Sequence, residues 1–366
     1  MLYLLAEYQD IFGPLRLFEY VTFRAGGAAF TAMILCYLLG PMTVKLLKKF
    51  RATAPSRLKG LVSEEFIDKQ KDKTPSMGGI LIISSITIST ILWAMLSNPL
   101  VVVFLATLLS LAGLGFLDDY AKVAHAKRDG ISGKLKLFLQ IAIALSAVFF
   151  LNSLPATGDL LQQLMLPFYK KPVLTDIPLW AAFAFAAIVV VGSSNAVNLT
   201  DGKDGLAVGC SIFCTLTFAT LAYLCGHKLF AGYLNIPFIP GASEVVVFAA
   251  SIAGACIGFL WHNCHPASMF MGDTGSLPLG GTIGLIAVLV KQELVLAIVG
   301  GVFVMEAVSV IIQVTSYKLF KKRVFLCTPI HHHFEQKGWT ETQIVTRFWI
   351  LSGIFALIGL ATLKLR

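Results

Sequence analysis

Long apolar runs constrain this chain more than any other feature, because a helix that crosses a bilayer needs about 17 to 25 apolar residues. Ten segments of the 366-residue sequence supply such a run. They lie at about 25–46, 77–97, 99–117, 135–151, 179–195, 206–224, 244–261, 277–291, 294–320 and 344–364. We therefore predict an all-α polytopic membrane protein with about ten transmembrane helices, built as a single domain over residues 1–366.

Composition excludes the soluble classes. Charged residues make up 13% of the chain and hydrophobic residues 57%, whereas soluble domains carry about 25% charged residues. Seven cysteines are present without a CxxC pair, and most fall in or beside the apolar runs. They are typical of small packing residues rather than of a disulfide framework or a zinc site.

The placement of positive charge predicts the orientation of the chain. Nine lysines and arginines follow the first apolar run, between Lys45 and Lys73, and loops on the same side hold most of the 29 in the chain. Cytoplasmic loops of membrane proteins carry such an excess. We expect these loops in the cytoplasm and both the N-terminus and the C-terminus in the periplasm.

Two adjacent carboxylates, Asp118 and Asp119, stand at the end of the third run and are followed by Lys122. If the helix ends there, its macrodipole disfavours them, so they need a cation, a phosphate or a proton as partner. The alternative is a surface helix that continues, in which Asp118 pairs with Lys122 four residues later. That alternative leaves Asp119 without a role. A second basic loop with Lys134 follows.

A polar turn separates the fifth and sixth runs and contains Asn198, Asp201, Gly202 and Asp204. Asp201 could act only as a helix N-cap. The number of polar and glycine residues exceeds what a cap needs, and glycine-rich turns at helix N-termini bind anions through backbone N–H groups. We favour a binding role for this turn.

The loop between the seventh and eighth runs carries Asn263, Phe270, Gly272, Asp273 and Ser276. Asp273 precedes a helix, so that capping is again the simple interpretation. Phe270 either packs in the core or offers a face on which a base stacks. Because successive loops alternate between the two sides of the membrane, we expect this segment on the cytoplasmic side.

The end of the first basic loop leaves two interpretations equally open. Lys71 and Ser76 precede a pair of glycines at the start of the second run. Ser76 is either the cap of that helix, or the segment binds phosphate through Lys71 and exposed backbone N–H groups.

The last polar groups lie in and after the ninth run. Glu306 is near its middle, and Gln313 follows one heptad later on the same face. We predict a protonated, hydrogen-bonded Glu306 at a helix interface rather than a proton relay. His331, His332 and His333 lack the i,i+4 spacing of a helical zinc pair. We expect these histidines to be neutral and to donate hydrogen bonds to a diphosphate or a sugar.

These polar groups fall on one side of the membrane, which is also the side of the positive charge. Carboxylates shared with substrate phosphates are the ligands that Mg²⁺ prefers, and phosphoryl transfer needs positioning, a metal ion and positive charge. The pattern indicates a membrane enzyme that joins a cytosolic phosphate donor to a lipid acceptor. A secondary transporter is the alternative class, but it predicts ionisable groups at the bilayer midplane, where only Glu306 lies.

Four motifs carry a family resemblance. They are Asp118-Asp119-x-x-Lys122, Asn198-Leu-Thr-Asp201-Gly-x-Asp204-Gly205, Phe270-Met-Gly-Asp273 and Pro329-Ile-His-His-His333. Together they resemble the polyprenyl-phosphate hexose-1-phosphate transferase superfamily, over nearly the full chain. Lys203 departs from the apolar residue that is common in the family at this position.

The resemblance implies an enzyme of the bacterial cytoplasmic (inner) membrane. It implies transfer of phospho-MurNAc-pentapeptide from UDP-MurNAc-pentapeptide to undecaprenyl phosphate, with lipid I and UMP as products, Mg²⁺ as cofactor and a homodimer as the assembly. A related enzyme that transfers N-acetylglucosamine-1-phosphate is the alternative, and the Pro-Ile-His-His-His form argues against it. Direct attack by the lipid phosphate and an aspartyl-phosphoryl intermediate both fit the residues.

The resemblance also implies roles for individual residues. Asp273 is the expected Mg²⁺ ligand, with Asp118, Asp119 and Asp201 as further ligand candidates, and Asp118 and Asp119 lie nearest the lipid phosphate. Catalytic or substrate-binding roles are expected for Asn198, His331, His332, Lys122 and Lys134. The uridine side is expected to use Lys71, Gly202, Asp204, Asn263 and Phe270. Ser76, Gly272, Ser276, Gln313 and His333 complete the expected substrate-binding set.

Overall fold

The computed structural model describes residues 1–50, 74–124 and 130–365, so that Lys71 lies outside the described residues. Its regular elements there are helices, with one isolated bridge between Leu164 and Leu174. Two short 3-10 helices, Leu2–Tyr8 and Gly13–Glu19, come first. The α-helices are α1 (Val21–Lys49), α2 (Gly79–Trp93), α3 (Pro99–Ala124), α4 (Gly133–Ser153), α5 (Gly158–Leu161), α6 (Leu179–Thr200), α7 (Leu206–Cys225), α8 (Lys228–Leu234), α9 (Ala242–Asn263), α10 (Asp273–Leu289), α11 (Glu293–Val299), α12 (Gly301–Phe320), α13 (Ile330–Gln336) and α14 (Glu341–Ala361).

Eight of these helices are long and apolar enough to cross a membrane, namely α1, α3, α4, α6, α7, α9, α12 and α14. The shorter apolar helices α2 and α10 coincide with the second and eighth predicted runs. The ninth predicted run, 294–320, is two helices, α11 and α12, which meet at Gly300 and Gly301. The prediction of an all-α polytopic membrane protein is confirmed.

The short helix α10 lies at the centre of the fold. Every residue from Asp273 to Leu289 is buried, and the helix packs against α6, α3, α7 and α2. Glycines allow the closest of these contacts. A Cβ on Gly115 of α3 would lie 2.2 Å from the Asp273 carbonyl oxygen, and a Cβ on Gly79 of α2 would lie 2.2 Å from the Gly275 nitrogen. The backbones at the start of α10 are therefore held by contacts that a larger residue would prevent.

Backbone hydrogen bonds join the segment before α2 to the segment before α10. The Phe270 N–H donates to the Pro75 carbonyl at 2.8 Å, and the Gly78 N–H donates to the Phe270 carbonyl at 2.8 Å. A third bond of 2.8 Å runs from the Gly79 N–H to the Met271 carbonyl. These bonds fix the first turns of the two short helices side by side.

The opposite end of the fold is held by a buried ion pair between α1 and α9. Arg24 donates to the two carboxylate oxygens of Glu244 at 2.7 and 2.5 Å. The Met95 N–H donates to the same carboxylate at 3.1 Å. Because each charge is paired and hydrogen-bonded, the pair is tolerated in the interior. It links three segments at the end of the bundle that is remote from Asp273.

Candidate active site

Three carboxylates from two helices meet in the interior. Asp118 and Asp119 belong to α3, and Asp273 is the first residue of α10. The residues are 2%, 4% and 3% exposed, and one oxygen of each lies within 4.8 Å of the others. For Asp273, the positive end of the α10 dipole favours a negative charge.

The expectation that α3 ends at the acid pair is wrong. The helix continues to Ala124, and its last seven residues still present a buried face to the core. Asp118 does pair with Lys122 four residues later, at 2.6 Å. However, the pair is buried instead of solvent-exposed, and Asp119 takes part in the same cluster. The helix continues because these polar residues find partners inside the protein.

Two lysines balance most of the negative charge of the acids. The Lys122 ammonium lies 2.6 Å from Asp118, 3.4 Å from Asp119 and 3.0 Å from Asp273. The Lys136 ammonium, from the first turn of α4, lies 2.5 Å from Asp273 and 3.5 Å from Asp118. Buried charges are stable only when they are paired in this way.

Neutral donors hold the acids in position. Asp119 accepts from the backbone N–H of Thr274 at 2.9 Å and from its hydroxyl at 2.8 Å. Asp118 accepts from the Ile131 N–H at 3.0 Å. Thr274 directly follows Asp273, and Ile131 lies in the segment between α3 and α4. The bonds leave the carboxylates of Asp118 and Asp119 little freedom to rotate.

The predicted amide Asn198 also joins the cluster. Its Nδ2 donates to Asp273 at 2.7 Å and to the Ser276 hydroxyl at 2.8 Å. Asn198 lies in the last turn of α6, and Asp273 and Ser276 lie in the first turn of α10. Three predicted site residues from two separate polar segments are thus in direct contact.

Lys136 was missed by the sequence analysis, which named Lys134 instead. Lys134 is exposed, and two residues of separation place it about 200° around the helix from Lys136. The structure shows a buried stripe at four-residue intervals, formed by Gln140, Ala144 and Val148, which the sequence alone does not reveal. Lys136 stands one interval before Gln140, and its side chain therefore points into the core.

Asp201 and Gly272 connect the polar turn after α6 to the start of α10. The Gly272 N–H donates to Asp201 at 3.2 Å. Gly272 has φ of +74°, and a Cβ there would lie 2.6 Å from a carboxylate oxygen of Asp119 and 3.1 Å from the hydroxyl of Ser76. Both the backbone conformation and the space require glycine.

Asp204 and Asn263 brace the loop that follows α9. The Asp204 carboxylate accepts from the Ala267 N–H at 3.1 Å and pairs with Nδ1 of His265 at 3.0 Å. Asn263 accepts from the Gly205 N–H at 3.1 Å and donates to the Met269 carbonyl at 3.0 Å. The loop thereby holds Phe270, whose side chain is half-buried, three residues before Asp273.

His331 contacts a buried glutamate of α12. Its Nδ1 lies 3.1 Å from Glu306, although the geometry is not that of a hydrogen bond, and its backbone N–H donates to the same carboxylate at 3.4 Å. A Cβ on Gly202 would lie 2.4 Å from His331 Nε2. Glu306 thus lies at a helix interface. Because Gly202 belongs to the polar turn after α6, the ring of His331 packs against that turn.

His332 and Glu335 form a second pair on α13. His332 Nδ1 lies 2.9 Å from Glu335 Oε2, and Lys203 donates to Glu335 Oε1. Partial burial raises the pKa of Glu335, but the hydrogen bonds from His332 and Lys203 outweigh it and lower the pKa to about 2. Burial lowers the pKa of His332, against the opposing effect of Glu335.

His333 and Gln313 serve the loop before α13. The Leu326 N–H donates to His333 Nδ1 at 3.1 Å. Gln313 accepts from the N–H groups of Val324 and Phe325, and donates to the Phe325 carbonyl, each at 3.0 Å. The three histidines have three different partners, as expected from their consecutive positions.

The fold and the cluster define a helical membrane protein with a buried carboxylate–lysine site, and comparisons with known proteins identify the class as that of transferases. Residues 101–291 match Glycosyl transferase family 4. Residues 71–83 match signature 1 of phospho-N-acetylmuramoyl-pentapeptide-transferase.

Three curated relatives are similar over essentially their whole length. A phospho-N-acetylmuramoyl-pentapeptide-transferase of Methylacidiphilum infernorum is 47% identical over 367 residues, covering 100% of both chains. Enzymes of the same name from Desulfotalea psychrophila and Koribacter versatilis are 46% and 45% identical, over 100% and 97% of this chain and 99% and 96% of their own. The chain belongs to the phospho-N-acetylmuramoyl-pentapeptide-transferase family, which confirms the resemblance.

Proposed function

We propose that the protein transfers phospho-MurNAc-pentapeptide from UDP-MurNAc-pentapeptide to undecaprenyl phosphate, giving lipid I and UMP. The relatives described above bear the name of this transferase over their full length. The observation that carries the proposal is the buried cluster of Asp118, Asp119 and Asp273 with two lysines. Such a cluster supplies the fixed charges that phosphoryl transfer needs.

The donor atoms of the cluster fit Mg²⁺. Asp118, Asp119 and Asp273 offer only carboxylate oxygens, which are hard ligands, and the amide of Asn198 and the hydroxyl of Ser276 lie beside them. Mg²⁺ is bound in this way by one or two carboxylates together with substrate phosphates. When bound, it would neutralise charge on the donor diphosphate. Asp273 is our first choice of ligand, as the family resemblance implies, and the ion would replace one of the contacts that its carboxylate makes to Lys122 and Lys136.

The lysines have a role in the reaction that follows from their contacts. Lys122 and Lys136 bridge the acids, and each ammonium has three donors. We propose that both lysines donate to phosphate oxygens as the donor diphosphate enters. They would then stabilise the charge that develops on UMP as the bond between the sugar phosphate's phosphorus and the bridging oxygen breaks and that oxygen leaves with UMP.

The acceptor side of the reaction belongs to the end of α3. Asp118 and Asp119 are proposed to face the undecaprenyl phosphate, one readying its phosphate for attack and the other steadying the metal region. One P–O bond to the lipid phosphate forms and one P–O bond to UMP breaks. Because one diphosphate replaces another, the reaction needs no ATP.

We also propose a topology and an assembly. Ten membrane helices, with α2 and α10 as short members, would place both termini in the periplasm and the acid cluster at the cytoplasmic face of the bacterial inner membrane. The basic loops support this orientation through the positive-inside rule. A homodimer is the proposed assembly.

The function is tested with purified protein, Mg²⁺, undecaprenyl phosphate and each of two UDP-sugars, scored for UMP release. We expect UMP from UDP-MurNAc-pentapeptide and none from UDP-N-acetylglucosamine. The absence of UMP with the pentapeptide donor would overturn the proposal. In the same assay, Asp273→Asn should abolish turnover while the protein still inserts and folds, and retained activity would remove Asp273 from the centre of the site.

A further inference from the structure

Lys203 and Glu335 form a buried contact that the mechanism above does not use. Lys203 lies in the turn between α6 and α7 and is 8% exposed. Its ammonium donates to Glu335 Oε1 on α13 and lies 3.9 Å from Oε2 of Glu341 at the start of α14. An ammonium in the interior is stable only beside such carboxylates. This contact joins the polar turn to the histidine helix.

The second oxygen of Glu335 determines where His332 carries its proton. Glu335 stays ionised because its pKa lies at about 2, and an ionised carboxylate only accepts hydrogen bonds. His332 Nδ1, at 2.9 Å from Glu335 Oε2, must therefore be the donor. In a neutral imidazole with its proton on Nδ1, Nε2 is a hydrogen-bond acceptor.

The charges around His332 keep its ring neutral. Burial lowers its pKa, Glu335 raises it through the hydrogen bond, and His331 and Lys203 lower it again, so that the pKa lies below the ordinary value for histidine. The His331 ring is 4.2 Å away, centroid to centroid. Glu341 faces Lys203 rather than the imidazole. Among Lys203, His331, Glu335 and Glu341, Lys203 is thus the fixed positive charge that opposes protonation of His332.

We propose that Lys203 and Glu335 are positioning residues: Glu335 fixes the proton of His332 on Nδ1 and Lys203 opposes a second proton, so that Nε2 accepts a hydrogen bond from a hydroxyl or amide N–H of the sugar–peptide part of the donor. This inference rests on the proposed function. It refines the sequence-based expectation that the histidines are donors to a diphosphate or a sugar.

The choice between sugar and phosphate follows from hydrogen-bond chemistry. The oxygens of an ionised diphosphate are acceptors, and a neutral Nε2 that carries a lone pair offers them no proton. Sugar hydroxyls and amide N–H groups are donors. A site that makes such a bond loses affinity when its acceptor is converted to a donor, because both partners then have protons to offer.

The test is a pH series on the full-length protein with the variants Lys203→Met and Lys203→Arg. The methionine removes the charge that opposes protonation, so the pKa of His332 rises, and His332 becomes an imidazolium at a higher pH than in the wild type. We expect KM for UDP-MurNAc-pentapeptide to rise toward low pH more steeply than in the wild type, by at most about tenfold for a pKa shift of about one unit. At about pH 8 the change should be under about twofold, and kcat should change little, since a binding contact is lost.

Three further measurements separate positioning from a structural defect. Lys203→Arg keeps the charge and should restore the wild-type pH profile. The KM for undecaprenyl phosphate and the inhibition constant of UDP should be the same in wild type and Lys203→Met, because neither ligand carries the MurNAc-pentapeptide part of the donor. The exposed Lys337 lies at the end of α13, the helix that carries His332, and gives a matched control. Lys337→Met should leave the pH dependence of the donor KM unchanged.

Two results would overturn the inference. One is a donor KM in Lys203→Met with the pH dependence of the wild type. The other is a change in the affinity for UDP that runs parallel to the change for the full donor, because this would place His332 against a phosphate. A failure of the proposed function is distinct, since the wild-type protein itself would then release no UMP.

Discussion

At the scale of single residues, the site is a balance of buried charge. Three carboxylates and two ammonium groups lie within hydrogen-bonding distance of one another, which leaves the cluster one charge negative. Removing one member leaves the others unpaired in the interior, at a cost of about 3–5 kcal/mol for a buried pair. The effect of a substitution on folding and on turnover must therefore be measured separately.

The two lysines at the start of α4 give a matched pair for such a test. Lys136→Met removes an ammonium that contacts Asp273 and Asp118, and we expect kcat to fall about a hundredfold, as for loss of one donor to a developing charge. Lys134→Met changes an exposed residue and should have an effect at least about tenfold smaller. Steady-state UMP release measures both, and equal losses would contradict the contacts of Lys136.

Residue types at this scale were predictable to a large extent, but their geometry was not. The sequence indicated Asp118, Asp119 and Asp273 because acids at the ends of apolar runs need a partner. It did not indicate Lys136 over Lys134, since both follow the same basic loop. That choice depends on the rotation of α4 about its axis, which is set by packing against α6 and α3.

At the scale of helices, close backbone contacts place the acids. α3 crosses the start of α10 where a Cβ on Gly115 would meet the Asp273 carbonyl oxygen at 2.2 Å. Two residues earlier, Gly113 is exposed and has no neighbour within 4 Å of a built Cβ. The two glycines of one helix thus differ in the single property that matters here, the distance to the next backbone.

Alanine at these two positions tests the crossing. Gly115→Ala should lower the free energy of unfolding by about 2 kcal/mol, as expected for overpacking, and should reduce turnover because it displaces Asp273 from Asp118. Gly113→Ala should change the free energy of unfolding by less than about 0.5 kcal/mol. Denaturant titration in detergent and UMP release give the two values. Equal stability of the variants would show that the helices can separate without loss.

The boundaries of the helices could be predicted only where hydropathy alone determines them. The run 99–117 was placed correctly at its start, yet α3 continues to Ala124 because the polar residues beyond Leu117 are buried by partners from elsewhere in the chain. The run 294–320 was predicted as one helix, but it divides at Gly300 and Gly301. Both differences come from tertiary contacts, which an apolar run does not encode.

At the scale of the whole molecule, all proposed chemistry lies at one end of the bundle and the Arg24–Glu244 pair lies at the other. The sequence predicted that the polar motifs share one side, through two independent patterns, the basic loops and the motif positions, but it did not predict the Arg24–Glu244 pair. The short eighth run, 277–291, already indicated that α10 is shorter than most spans, whereas the run 77–97 did not indicate that α2 ends at Trp93. The first residues of α2 and α10 lie side by side in the interior, where the acid cluster is buried.

Cysteine accessibility tests the orientation of the molecule. Cys264 is exposed in the loop after α9, and Gly13 lies near the N-terminus with open space around it. A membrane-impermeant maleimide should label Cys264 in inside-out vesicles only. The Gly13→Cys variant in a background with Cys264→Ser and Cys327→Ser should be labelled in right-side-out vesicles only. The reverse pattern would contradict the proposed topology.

The central claim is that the cluster of Asp118, Asp119 and Asp273 is the metal centre of the transferase, and direct metal binding tests it. Mn²⁺ in place of Mg²⁺ can be titrated into purified protein with UDP present, with free Mn²⁺ measured by electron paramagnetic resonance. We predict saturable binding to the wild type and an affinity at least about tenfold weaker for Asp273→Asn, with thermal unfolding recorded in parallel so that only folded protein is compared. Equal affinity of the two proteins for Mn²⁺ would contradict the account.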